Sequence, residues 1–136
     1  MKRLILFSIL TLIFMGSASG APDVNYQKRT HAEALYELGV KYARGQGVTQ
    51  NYQEAVKLLR KAAEQGVADA QAFLGSMYFV GHGVTQDYVE AYMWLSIGAA
   101  NGDKFAKVVR KIVEKRMTDT EISRAYKLAE EWVLKH

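Results

Sequence analysis

The 136 residues include no cysteine. That excludes a disulfide framework, a cysteine-ligated metal and a lipid anchor on a processed N-terminal cysteine, so stability has to come from packing. Histidine is scarce. His31, His82 and His136 fall at an expected helix start, in a loop and at the C-terminus, and no two have the spacing of a metal site. Charge of one sign is also lacking: 18 Lys and Arg face 14 Asp and Glu. The longest apolar run, Leu4 to Met15, stops well short of the roughly 20 residues a membrane-spanning helix needs.

That run has a specific setting. Met1-Lys2-Arg3 precedes it, and the small residues Gly16-Ser17-Ala18-Ser19-Gly20 follow. Basic, apolar and small in that order is the pattern of a secretory signal peptide, expected over 1–20 with cleavage after Gly20 or, as an alternative, after Ala18. The expected location is periplasmic or secreted, with no permanent membrane span. Removing Lys2 and Arg3 leaves 16 bases against 14 acids, a net charge of about +2. Without a clustered basic face, a nucleic-acid partner is not expected. Residues 21–29 read as an irregular leader.

What is present is an internal repeat. Residues 34–66 align on 70–102 without a gap at a shift of 36, with 15 of the 33 positions identical. The identities include Ala34/Ala70, Leu38/Leu74, Gly39/Gly75, Tyr42/Tyr78 and Tyr52/Tyr88, and the loop pairs Gly45/Gly81 and Gly47/Gly83. Each unit predicts two helices. Ala34, Leu38 and Tyr42 fall on one face of the first; Tyr52, Ala55, Val56, Leu59 and Ala63 follow the amphipathic spacing of the second. Thr30 to Glu33 and Thr118 to Glu121 have the spacing of capping boxes. In each loop the lone valine, Val48 or Val84, is expected to tuck back into the core. Beyond Gly102 the pattern fades, and 106–136 reads as an atypical terminal helix pair that caps the array.

The pattern resembles the Sel1-like repeat, a relative of the tetratricopeptide repeat. The residues that carry the resemblance are Ala34, Leu38-Gly39, Tyr42, Gly45-x-Gly47-Val48, Tyr52, Ala55 and Ala62-Ala63-Glu64-Gln65-Gly66. Asn51 stands where the family favours aspartate, Leu58 where Trp94 keeps its aromatic, and Gly98 replaces the first alanine of the Ala-Ala pair. The resemblance implies an all-α, right-handed α-solenoid of antiparallel helix pairs. Repeats are expected at about 34–69 and 70–105 within a domain spanning 30–136.

Few residues suggest chemistry. Gly45-Gln46-Gly47 and Gly81-His82-Gly83 lack the strand and the remaining glycines of a phosphate-binding fingerprint and read as turns. Ser76 and Ser96 lie in helices with no histidine placed by a known motif. No catalytic residue, cofactor or metal is expected. The β-lactamase activity of some cysteine-rich members of the family is not carried over, because their cysteine framework is missing.

The resemblance instead implies a protein or peptide partner held on the concave face. By analogy with tetratricopeptide geometry that face carries Tyr36, Val40, Arg44, Ser76, Phe79 and Val80, beside Glu33, Asp69 and Ala72, with Lys115 and Arg116 extending it. The expected role is a non-catalytic interaction module or adaptor in the envelope or outside the cell. An immunity protein against a delivered toxin, or a cell-wall enzyme with an unrecognised site, are the alternatives.

Overall fold

The structure, a computed structural model, describes residues 23–136. The signal-peptide reading over 1–20 lies outside these. Six helices follow in order: α1 Val24–Arg44, α2 Tyr52–Glu64, α3 Ala68–Val80, α4 Tyr88–Ala100, α5 Lys104–Glu114 and α6 Asp119–Lys135. The described residues form no strand, and no helix among them is long and apolar enough to cross a membrane.

Helices α1 and α2 pack as one pair and α3 and α4 as the next, with α2 against α3 joining them. Each pair closes at a glycine. A Cβ built on Gly39 would stand 2.9 Å from Leu59 Cγ, and one on Gly75 would stand 2.7 Å from Leu95 Cγ and 3.0 Å from the Ala91 carbonyl. At Gly75 no larger side chain fits unless the helices separate, because backbone stands in the way, whereas at Gly39 the nearest obstacle is a side chain. The pairing loops repeat their bonds as well. Gln50 Nε2 donates to the Ala43 carbonyl and Gln86 Nε2 to that of Phe79, both at 2.8 Å. Asn51 and Asp87 then cap α2 and α4, each accepting a backbone N–H at 3.0 Å. Asparagine and aspartate are interchangeable here because both offer the same acceptor.

Helix α4 is buried on every side from Ala91 to Gly98. Met93, Trp94 and Ile97 face a core shared with the first three helices, whereas Ala91, Tyr92 and Leu95 face a second core with α5 and α6. The amphipathic pattern of the matching helix α2 is lost here because a central helix has no solvent face. Gln71, fully buried, bridges the two repeats: its Nε2 donates to the Ala63 carbonyl at 3.0 Å, and its Oε1 accepts from Asn101 at 2.9 Å. Val84 packs against the first core as expected, and the Thr118–Glu121 capping box forms in full.

Three expectations are corrected. The segment expected to be irregular through Arg29 is helical from Val24, because Asp23 caps α1 by accepting the Asn25 N–H at 3.2 Å. Thr30 therefore caps nothing: it lies inside α1, and its hydroxyl donates back to the Gln27 carbonyl. Leu38, expected inward, is 39% exposed, while its repeat partner Leu74 is 0% exposed. Leu74 is covered from the preceding pair by α2; among the described residues no pair precedes α1 to cover Leu38.

Candidate partner-binding surface

Tyr36, Val40 and Arg44 are four residues apart on α1 and so share one stripe. Ser76, Phe79 and Val80 lie on the neighbouring α3. The structure places these six in different settings.

Tyr36 is half-buried on the wall of a cleft of about 700 Å³ between the N-terminal half of α1 and the turn leading into α3. Glu33 and Asp69, both expected on this face, line the same cleft. The Tyr36 phenol is pushed above its ordinary pKa by burial and by the nearby Asp69 charge, with Arg44 acting in the opposite direction. Arg44 itself is exposed in the last turn of α1, where a cation suits the helix C-terminus. Asp69 in turn has its carboxyl raised by partial burial and by Asp103, which stands close enough to share a proton with it. Asp103 caps α5 by accepting the Ala106 N–H at 2.6 Å.

Farther along, Val40 is half-buried and Val80 is 51% exposed. The Phe79 ring packs on Tyr88 at 5.8 Å between centroids and carries the Arg116 guanidinium at 6.0 Å. Arg116 thus stands beside Phe79, in the turn that follows α5. Ser76 offers less, because its hydroxyl already donates to the Ala72 carbonyl at 2.9 Å. Ala72, expected on the open face, is buried in the second core, since α5 packs over it.

A third repetition of the 36-residue interval reveals residues that the sequence reading missed. Phe105, Val108 and Ile112 stand at the positions of Asp69, Ala72 and Ser76, and all three are exposed, Phe105 and Val108 at 59% each. Lys104, Lys107, Lys111 and Lys115 are exposed alongside them. The missing Leu-Gly signature hid the correspondence, although the interval itself was available.

The arrangement suits binding. His82, in the second loop, stacks flat on Tyr52 at 4.5 Å between centroids and packs one repeat on the other. Among the described residues no three His, Cys, Asp or Glu side chains gather where they could hold a metal. Aromatic rings, an exposed arginine and apolar side chains beside a cleft are the types that anchor macromolecular contacts.

The family model of the Sel1 repeat matches residues 32–67 and 68–103. Among solved structures, the chain is similar to c5321, a protective antigen present in uropathogenic Escherichia coli strains that displays an SLR fold. The two are 36% identical with a TM-score of 0.74 over 76% of this chain and 22% of that one. It is also similar to a Sel1 repeat protein from Oxalobacter formigenes, 38% identical with a TM-score of 0.57, over 60% of this chain and 33% of that one. The chain thus spans about a third or less of the length of these relatives. No curated protein matches it.

Proposed function

The chain belongs to the Sel1 repeat family, and from that premise we propose that it is an exported, non-catalytic interaction module that holds a protein or peptide partner on the α1–α3 surface. Sel1 repeats generally mediate protein–protein interaction, and their proteins are typically scaffolds rather than catalysts. The observation that carries the reading is the set of accessible contact groups on α1 and α3. Tyr36 sits at a cleft, Arg44 and Val80 are exposed, and Phe79, packed partly against the second core, carries Arg116 on its ring. Arg44 can take a partner carboxylate in a two-pronged hydrogen bond, while the rings supply desolvated area.

Export is supported by the basic, apolar and small order of residues 1–20. The description of one relative as a protective antigen agrees with a protein that acts beyond the cytoplasm. The periplasm or the outside of the cell is therefore the proposed location.

The test is crosslinking of the tagged protein in its own cells, followed by mass spectrometry, with Arg44→Ala and Tyr36→Ala in parallel. The expected result is one enriched protein, lost in both variants. Equal recovery from both variants would remove this surface from the interaction. Fractionation of the same cells checks the location.

A further inference from the structure

The third helix pair does not close. Continuing the repeat interval places Lys111 where Gly39 and Gly75 stand, and only residues 115–118 join α5 to α6, where residues 45–51 and 81–87 join the earlier pairs. A lysine cannot be buried against a facing helix as a glycine can, and the short connection gives little freedom to correct this. Helices α5 and α6 accordingly each pack on α4 and diverge from one another.

A groove of about 370 Å³ lies along α4 and α6, with Arg110 contributed by α5. Ile97 and Ala100 of α4 contribute to its base, and Ala129, Val133 and Leu134 of α6 form an apolar wall. Val133 is 58% and Leu134 81% exposed, so the wall is open to a ligand. At this volume, near the lower limit of small-molecule sites, the groove suits a compact ligand.

Two polar atoms within this apolar lining have no partner among the described residues. Ser96 is 8% exposed, and its Oγ makes no hydrogen bond; Arg110 Nε is buried and makes none either. Buried polar groups are nearly always satisfied, so each such exception calls for an explanation. Arg110 can only donate, and a serine hydroxyl can donate as well. The arginine is also held in place: its guanidinium lies 5.9 Å from the Tyr92 ring, and the Tyr92 hydroxyl donates to that of Tyr126 at 3.0 Å. Among the described residues Glu130 is the one acidic side chain lining the groove, and it forms no ion pair with Arg110. The group that suits both atoms is an acceptor, anionic beside a guanidinium and attached to something apolar.

We propose that this groove binds an amphiphilic carboxylate of the medium-chain fatty-acid class. Its carboxylate is taken by Arg110 and Ser96, and its alkyl chain lies along Ala129, Val133 and Leu134. The site is on a different face from the α1–α3 surface and does not depend on it.

The experiment titrates the purified protein, freed of residues 1–20 if export removes them, with decanoate and separately with decan-1-ol. The readout is tryptophan fluorescence, because Trp132 on α6 packs edge-on against Trp94 at 5.5 Å. Saturable binding of decanoate, with decan-1-ol weaker by about tenfold or more, is the expected result, since a charged hydrogen bond is worth at least that factor. Arg110→Gln should erase the preference for the acid. Val133→Asp changes an exposed residue, so the fold survives, and its charge should repel decanoate. Equal binding of acid and alcohol, or no saturable signal, would overturn the proposal. So would a dimer, measured by light scattering, that Val133→Asp breaks while decanoate stays unbound, since a second copy would then fill the groove.

Discussion

Gly75 and Leu95 meet so closely that α3 and α4 are held together at a point with no room for a side-chain carbon. The nearest atoms a Cβ would strike are Leu95 Cγ, the Ala91 carbonyl and the Leu95 N, and two of these are backbone. At Gly39 the closest obstacle is the Leu59 side chain, which can turn, and the nearest backbone atom is 3.4 Å away.

Alanine should therefore separate the two sites. Gly39→Ala gains about 1 kcal/mol of helix propensity against a yielding contact and should be close to neutral. Gly75→Ala should lose about 1–3 kcal/mol, because overpacking against backbone has no cheap relief. Urea unfolding of both variants checks this. A Gly75→Ala variant as stable as the parent would contradict the described approach of α3 and α4. The bulkier Gly39→Leu should be strongly destabilising.

The loop glycines offer a similar comparison. Gly47 and Gly83 share a backbone φ of 73°, yet a Cβ at Gly47 would meet nothing within 4 Å, whereas one at Gly83 would run into the Tyr52 carbonyl. Both alanine variants bear the cost of a left-handed backbone, about 1 kcal/mol. Only Gly83→Ala should also loosen the packing of one repeat on the next. Its thermal midpoint should fall further, and equal midpoints would argue against the loop being seated on α2.

Gln71→Leu tests the buried bridge. Leu35 holds the same position in the first repeat, so leucine suits the helix, but the substitution leaves the Ala63 carbonyl without the Gln71 donor. The carbonyl keeps the Gly66 N–H at 3.0 Å, so the expected loss is about 1 kcal/mol, the net worth of a hydrogen bond rather than of a stranded group. An unchanged denaturation midpoint would show that the Gln71 bridge adds nothing to stability.

Arg44→Ala should alter stability by no more than about 0.5 kcal/mol, as for other exposed sites, while weakening partner capture. If it unfolds the protein, the assignment of Arg44 to an open face is wrong. Circular dichroism melting performed beside the capture experiment separates the two outcomes.

Asp69 links stability to pH. Its carboxyl is raised above the ordinary value by partial burial, by its hydrogen bond to Asp103 and by the charge of Asp103. The folded state then holds a proton that the unfolded state has released, so this site's contribution falls as pH rises through the range just above the usual carboxylate value. Asp69→Asn removes that dependence. The stability of the variant relative to the parent should therefore increase with pH across this window, as read from urea midpoints at a series of pH values. A difference that stays flat or shrinks would mean that the two carboxyls do not interact.

The 36-residue repeat, the helix pairs it codes, the loop glycines and the cap at Thr118 follow from local chemistry: side-chain period, turn residues and hydrogen-bonding reach. All of these were legible in the sequence. Tertiary structure decided what identical residues do. Leu38 and Leu74 carry the same signal, but burial depends on a neighbour, and only Leu74 has one among the described residues. Ala72 and Tyr36 occupy equivalent positions, yet α5 covers the alanine while the tyrosine borders a cleft. The open groove at the third pair and the unpartnered Ser96 and Arg110 also arise from how three helices share one central helix. Sequence spacing encodes which face of a helix is apolar; which faces meet, and which stay open to a partner, depends on elements far apart in the chain.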